Sequence, residues 1–292
     1  MLTRCNSLLR GHSAVRPAVV QHILTLLAHG MTPILPLRGS ISASGDLTPL
    51  AYIAGAVEGN PDISVHKDRD GSIVPADEAL RELGLSPLEY GPKEGLGLLN
   101  GTAFSAGAAS LVLVESTQLL LLSQVLTAMG TEALRAPASR PQIENLALSL
   151  MQVEIELNWT TDNPLLDPTE QRIHHGGNFQ AAAVTSAMEK ALGALQMLGK
   201  ILSFAFKGVD INMAAYLSEL GYLSHPVSKH VQSAEMHNQA LNSLAFLACR
   251  YTADAVEVLS LMAATYLYVL CQALDLRALH QEFESTARAS ID

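Results

Sequence analysis

Residues 102–134 read TAFSAGAASLVLVESTQLLLLSQVLTAMGTEAL, and this run decides the fold class. It holds no proline and no turn pair, so nothing in it stops a helix from Thr102 to Leu134. Within it, Thr102 to Met129 is apolar enough to raise the question of a membrane span. Glu115, Gln118 and Gln124 interrupt it and no basic flank follows, which favours a buried helix of a large bundle. Ala253 to Leu274 is similar, with Asp254 and Glu257 inside it.

Working outward toward the C-terminus, Gln142 to Asn158, Phe179 to Phe206 and a long run from about Val231 to Phe283 also read as helices. They are punctuated at Pro137 to Pro141, Asp162 to Gly177 and His225-Pro226. The 28 acidic and 18 basic residues do not clothe all of these helices in charge, so several must be covered by neighbours or partner subunits. Toward the N-terminus, Pro17 to His29 forms a helix with Val20, Ile23, Leu24 and Leu27 at helical spacing. Leu50 to Glu58 forms another, with Thr48 as N-cap and Pro49 at its first position. Val65 to Val74 carries Asp70-Gly71 between short alternating runs and predicts a hairpin; Ala76 to Leu83 is helical and stops at Gly84. The expected architecture is all-α: an elongated helical bundle with a small hairpin near 65–74. Residues 1–100 form an N-terminal part and 101–292 a long-helix bundle, in one continuous domain.

Composition excludes several functions. A net charge of -10 over 292 residues, with no basic cluster longer than a pair, argues against nucleic acid as a partner. Cys5, Cys249 and Cys271 are few and odd in number, which suits a reducing, cytoplasmic setting, and the first residues show no secretory pattern. No metal is expected: the loop around Asp68-Arg69-Asp70-Gly71 fails as a calcium site, since His66 falls at its first ligand position. The pair His174-His175 has no further ligand at zinc-like spacing.

Polar clusters gather where helix breakers concentrate. Gly39-Ser40-Ile41-Ser42-Ala43-Ser44-Gly45-Asp46-Leu47-Thr48-Pro49-Leu50 is rich in small residues and lies between Pro36 and Pro49, so its backbone can be pressed into turns that larger residues forbid. It reads equally as an ordinary loop. Gly95 to Thr102 is a glycine-rich turn entering a long helix, with Asn100 a cap by default. His174 to Gln180 reads as a structural loop. Glu235, Asn238, Gln239 and Asn242 fall at i, i+3, i+4 and i+7, which predicts one polar stripe on a helix; amides in such a stripe suit the orienting of a zwitterionic ligand.

Taken together, these clusters resemble the aromatic amino acid ammonia-lyases, the family of phenylalanine, tyrosine and histidine ammonia-lyases. The matching motifs, in family order, are Leu9-Arg10-Gly11-His12-Ser13, Gly39 to Leu50, Leu99-Asn100-Gly101-Thr102, Thr161-Asp162-Asn163-Pro164-Leu165, His175 to Gln180 and Glu235 to Gln239. The resemblance implies a fumarase-like helical bundle, usually a homotetramer. It also implies that Ala43-Ser44-Gly45 cyclises to methylideneimidazolone: the Gly45 nitrogen attacks the Ala43 carbonyl, and water lost from Ser44 leaves an exocyclic methylene. By the same resemblance Asn100 supports that group or the substrate carboxylate, Phe179 packs beside the ring, and Glu235, Asn238 and Gln239 line the substrate pocket. The implied reaction is deamination of phenylalanine or tyrosine to cinnamate or coumarate, a step of phenylpropanoid metabolism. An aromatic aminomutase, or a catalytically silent homologue assembling with an intact lyase, are the alternatives.

The chain departs from the family pattern in three places. The region before Arg10, which in the family includes a tyrosine loop acting as base, is represented by nine residues. The insert expected between Leu134 and Gln142, whose arginine holds the substrate carboxylate, is reduced to a short run containing Arg135 and Arg140. A third segment expected between Lys200 and Lys207 is missing.

Overall fold

The computed structural model describes residues 1–134, 143–160, 164–203 and 208–291. Contacts group the chain into two units. The first comprises 1–110, 150–188 and 227–249, and the second 111–149, 189–226 and 250–292.

In the first unit, α1 (Leu2–Leu8) and α2 (Pro17–Ala28) lead into a short strand, β1 (Met31–Pro33). Pro17 opens α2 where its missing N–H costs nothing, and Gly30 leaves it at φ +64. α3 (Leu47–Glu58) ends on Gly59 at φ +73, a left-handed terminator. The expected hairpin is present as β2 (Ser64–Lys67) and β3 (Ile73–Pro75), with Val65 opposite Val74. Asp70 shapes its turn by accepting bonds from the Ser72 amide at 2.9 Å and hydroxyl at 2.6 Å. The hairpin is larger than expected, because β1 pairs antiparallel with β2 to make a three-stranded sheet. α4 (Ala76–Glu82) and α5 (Glu94–Leu99) follow. Val19, Ile23, Leu26, Leu50, Ile53, Val57, Val65, Leu80 and Leu98 close one core between these elements.

The long helices are α6 (Ala103–Leu134), α7 (Ile143–Asn158), α8 (Ala182–Leu202), α9 (Asp210–Leu223) and α10 (Ala245–Ile291), and the all-α class holds. A second hairpin, β4 (Leu165–Asp167) with β5 (Arg172–His174), stands between α7 and α8. The second unit packs through small residues. A Cβ on Gly130 would strike the Tyr266 hydroxyl, and one on Gly199 would meet the Leu220 side chain and, at 3.2 Å, the Met262 sulfur. Segments around α6 and α10 are long and apolar enough to cross a membrane by length and composition alone. In the chain by itself Leu113, Leu120, Leu126, Leu259, Met262 and Leu270 are buried, whereas Leu111, Val114, Leu121 and Val125 are exposed.

Three expectations about elements are corrected. The helix expected from Val231 starts only at Ala245, and Glu235, Met236 and His237 instead occupy a turn with φ of +52, +54 and +66. Side chains compete with the helix there: the Ser233 hydroxyl bonds His237 at 2.7 Å, and Asn242 Oδ1 accepts the Gln232 amide at 3.1 Å. The second correction concerns α3, whose N-cap is Asp46, not Thr48. Asp46 is drawn to that position because its carboxylate is engaged elsewhere, as described next. The helix expected from Phe179 begins at Ala182, and its end at Phe206 lies outside the described residues. Thr161 to Asn163, Arg135, Arg140 and the stretch 204–207 also lie outside them.

Candidate functional site

Ala43-Ser44-Gly45 sits in the loop before α3, in the first unit. The loop is anchored just ahead of the tripeptide: the Ser243 amide donates to the Ser42 carbonyl at 3.1 Å and the Leu244 amide to the Ile41 carbonyl at 3.1 Å. Ser42 is buried at φ +50, an unusual conformation for a residue with a side chain. Behind the tripeptide, Asp46 is fully buried. One carboxylate oxygen accepts from the Ser42 hydroxyl at 2.8 Å and the Ser105 hydroxyl at 2.7 Å, and the other accepts from the Ser105 amide at 2.7 Å in the first turn of α6. Burial pushes the Asp46 carboxyl above its ordinary value, outweighing these donors. The Cys249 thiol lies behind the same group, donating to the Ser105 carbonyl at 3.5 Å, and is pushed well up by its own burial and then by Asp46.

Two amides converge on Ser44. Asn100 Nδ2 donates to its carbonyl at 2.5 Å, and Gln239 Nε2 donates to its hydroxyl. The oxygen ends of both amides, Asn100 Oδ1 and Gln239 Oε1, are buried without a partner among the described residues. An orphaned acceptor of this kind is costly unless something else arrives to satisfy it. Gly45 adopts φ +105, and its backbone is pressed against the turn 100–102. A Cβ there would overlap the Gly101 nitrogen and come within 3.0 Å of Asn100 Cα and the Gly101 oxygen. The Asp46 amide then bonds the Gly101 carbonyl at 2.8 Å.

The residues fit a five-membered ring made from this tripeptide. Ala43 is 1% exposed, Gly45 has no room for a side chain, Ser44 is gripped at hydroxyl and carbonyl, and unsatisfied amide oxygens stand beside it.

Of the substrate-binding candidates, Asn100 and Gln239 are brought to the tripeptide. Glu235 and Asn238 are on the exposed turn before Gln239, which the isolated bridge between Ala234 and Gln239 closes. The helical stripe that prompted their choice does not exist, yet the turn still gathers them. Phe179 is half-buried beside Gln180, whose side chain donates to the Leu241 carbonyl at 2.9 Å and ties the segment 175–180 to the irregular run after Gln239. Among the described residues no cluster of three potential metal ligands is present.

Reading the sequence passed over Arg4, Asp46, Ser105 and Glu156. Arg4 carried a usable signal: it shares the buried stripe of α1 with Cys5 and Leu8, where a charge is out of place. Glu156, on α7, accepts from the Thr102 hydroxyl and, at 2.8 and 2.9 Å, from Asn178 Nδ2.

The model of the family described as aromatic amino acid lyase matches residues 1–142, 139–203 and 200–291. A phenylalanine ammonia-lyase of Aspergillus lentulus is 52% identical over 379 positions, covering 100% of this chain and 52% of that protein. A phenylalanine aminomutase of Talaromyces islandicus is 43% identical, covering 100% of this chain and 54% of its own length. The crystal structure of phenylalanine ammonia-lyase from the yeast Rhodosporidium toruloides superposes with a TM-score of 0.92 at 40% identity, over 99% of this chain and 57% of that one. The chain thus spans about half the length of these relatives, and the three matched stretches meet where the internal segments were expected to be missing.

Proposed function

Since this chain belongs to the aromatic amino acid lyase family, we infer that it is the prosthetic-group-bearing part of a carbon–nitrogen lyase that converts phenylalanine to trans-cinnamate and ammonia, with tyrosine as a second substrate. The observation that carries this reading is the grip on Ala43-Ser44-Gly45: two amides on Ser44, a turn pressed onto Gly45, and buried acceptors left open beside them.

The group formed from the tripeptide, methylideneimidazolone, supplies an electrophile that no ordinary side chain offers. The chain's own residues do the rest. Asn100 and Gln239 hold Ser44, and each presents an amide oxygen able to accept from the substrate ammonium. Glu235 and Asn238 face outward from their turn, where a carboxylate and an amide suit the same zwitterion. Phe179 offers an apolar wall for the aromatic ring. The first turn of α6 holds the Asp46 carboxylate through its Ser105 amide, so the loop carrying the tripeptide is fixed at a helix N-terminus, which favours electron density building there. The exposed apolar residues Leu111, Val114, Leu121 and Val125 on α6 support assembly as a homotetramer, and the free cysteines support a cytoplasmic location.

Intact mass tests the reading first: a deficit of two waters that disappears in Ser44→Ala is expected. Incubation with phenylalanine then distinguishes the products. Cinnamate absorbance supports the lyase, β-phenylalanine supports the aminomutase favoured by the Talaromyces relative, and a ring without turnover supports an assembly partner. Absence of both the deficit and any product refutes the function.

A further inference from the structure

The turn Asn100-Gly101-Thr102 is the wall against which the tripeptide is pressed, and two buried charges hold that wall without touching the tripeptide. Arg4 is 4% exposed. Its Nε donates to the Leu98 carbonyl at 2.9 Å, and its Nη2 donates to the Asn100 carbonyl at 2.9 Å and to the Gly97 carbonyl. The Gly97 and Leu98 carbonyls are ones that the end of α5 leaves without helical partners, and Asn100 is its C-cap. On the other side Glu156, 7% exposed, takes the Thr102 hydroxyl and both of its oxygens receive Asn178. Gly101 lies between them with no slack, since a Cβ there would run into the Arg4 guanidinium. The planar guanidinium reaches the three carbonyls from two nitrogens held in a fixed fork, a geometry that the single nitrogen of lysine does not reproduce.

We propose that Arg4 and Glu156 are positioning residues that stretch the turn 100–102 between a buried cation and a buried anion, and so fix how tightly Gly101 and Asn100 compress Ala43-Ser44-Gly45. The inference rests on the lyase reading for its consequence, ring closure, but not for its geometry. The Asp46 amide, bonded to the Gly101 carbonyl, reports the position of the turn directly. The Ile23 amide, in the core of α2, reports the stability of the unit as a whole.

The experiment compares the full chain with Arg4→Met, Arg4→Lys and Glu156→Gln, following hydrogen exchange at both amides together with intact mass. Arg4→Met is expected to speed exchange at Asp46 by about tenfold or more, to change Ile23 less than about twofold, and to lower the fraction carrying the two-water deficit. Arg4→Lys should be intermediate. The proposal is overturned if Asp46 and Ile23 accelerate together, if neither changes, or if folded Arg4→Met keeps the full deficit. Should Arg4→Met not fold, the Asp46-to-Ile23 ratio in Arg4→Lys and Glu156→Gln decides by the same criterion. A parent chain with no deficit refutes the lyase reading alone, and the exchange ratio still decides the positioning.

Discussion

Gly45→Ala probes the central contact, and Gly176→Ala supplies its control. Both glycines have φ +105, a region that residues with a Cβ scarcely enter, so both substitutions carry the same backbone cost of about 1–3 kcal/mol. Both also stiffen the unfolded chain alike, an opposing effect of about 0.4–1 kcal/mol. They differ in what the new methyl meets. At Gly176 nothing lies within 4 Å; at Gly45 the methyl overlaps the Gly101 nitrogen and stands 3.0 Å from Asn100 Cα and the Gly101 oxygen. All three are backbone atoms in a turn held by Arg4 and Glu156, so none can swing aside as a side chain would. Overpacking of this kind costs about 1–3 kcal/mol, and a rigid wall puts Gly45 near the upper end. Gly45→Ala should therefore be less stable than Gly176→Ala by about 2–3 kcal/mol. Urea unfolding followed by far-UV circular dichroism measures this as a midpoint lower by about 1 M at unchanged slope. Equal midpoints for the two variants would refute the claim that the tripeptide is pressed against the turn.

Three further substitutions separate electrostatics from packing at and around the site. Arg16 donates to both oxygens of Glu94, at 2.8 and 2.9 Å, and holds its carboxyl down at about 2 from an ordinary 4.5. The resulting stability is present above pH 4.5 and lost as pH falls toward 2. Because the Arg16 side chain is 52% exposed, solvent screening keeps that contribution small; acid titration of Glu94→Gln should lack that loss, and a matching acid limb would disprove the pairing. Asp46 behaves oppositely: with its folded pKa raised above 3.8, its contribution is complete below that pH and declines as pH rises through the folded value. Wild-type chain should thus lose stability relative to Asp46→Asn between pH 4 and neutrality, and a pH-independent difference would contradict the burial argument. On the lyase reading, Gln239→Ala removes one of the two amides on Ser44, and cinnamate formation should fall by about twofold to tenfold, the scale of one lost neutral hydrogen bond of about 0.5–1.5 kcal/mol, with little change in melting temperature. A large drop in melting temperature with turnover intact would reverse the assignment.

The all-α class was legible because length and apolar periodicity are local properties: Thr102 to Leu134 could be little else, and Asp70-Gly71 specified its turn unaided. Boundaries failed where a side chain had a distant partner. Thr48 satisfies every local rule for an N-cap, yet Asp46 occupies that position because Ser42 and Ser105 hold its carboxylate, and Ser105 is fifty-nine residues away. The run from Val231 to Leu244 has helical spacing of polar residues, but Ser233 bonds the His237 side chain, Asn242 caps the Gln232 amide and Gln239 reaches Ser44, so the spacing that nominated Glu235, Asn238 and Gln239 was wrong about the element. The partners of Arg4 and Glu156 were invisible for a related reason: each acts on carbonyls or a hydroxyl of a turn distant in sequence, and although Arg4 stands out as a charge on an apolar stripe, nothing in the immediate neighbours of either residue marks those partners.

The positions of strain follow from the same chemistry. Ser42, Ala181, Glu235, Met236, His237 and Leu244 all have positive φ without being glycine, a conformation costing roughly 1–3 kcal/mol at each residue. They fall on three runs that bond one another: the Leu244 amide reaches the Ile41 carbonyl, the Ser243 amide reaches the Ser42 carbonyl, and the Gln180 side chain reaches the Leu241 carbonyl. A loop free to relax would not keep so many residues there. The buried Asp46 network fixes one side of the tripeptide and the turn 100–102 the other, which leaves the third side to these strained runs. That side must both bring Gln239 to Ser44 and leave Glu235 and Asn238 exposed. A regular helix through 231–244 would hold its polar residues on one face at fixed spacing, whereas a left-handed turn between Ala234 and Gln239 points one amide inward and keeps its neighbours outward. The strain is thus the structural consequence of asking one short segment to grip the tripeptide with one side chain and keep its neighbours exposed.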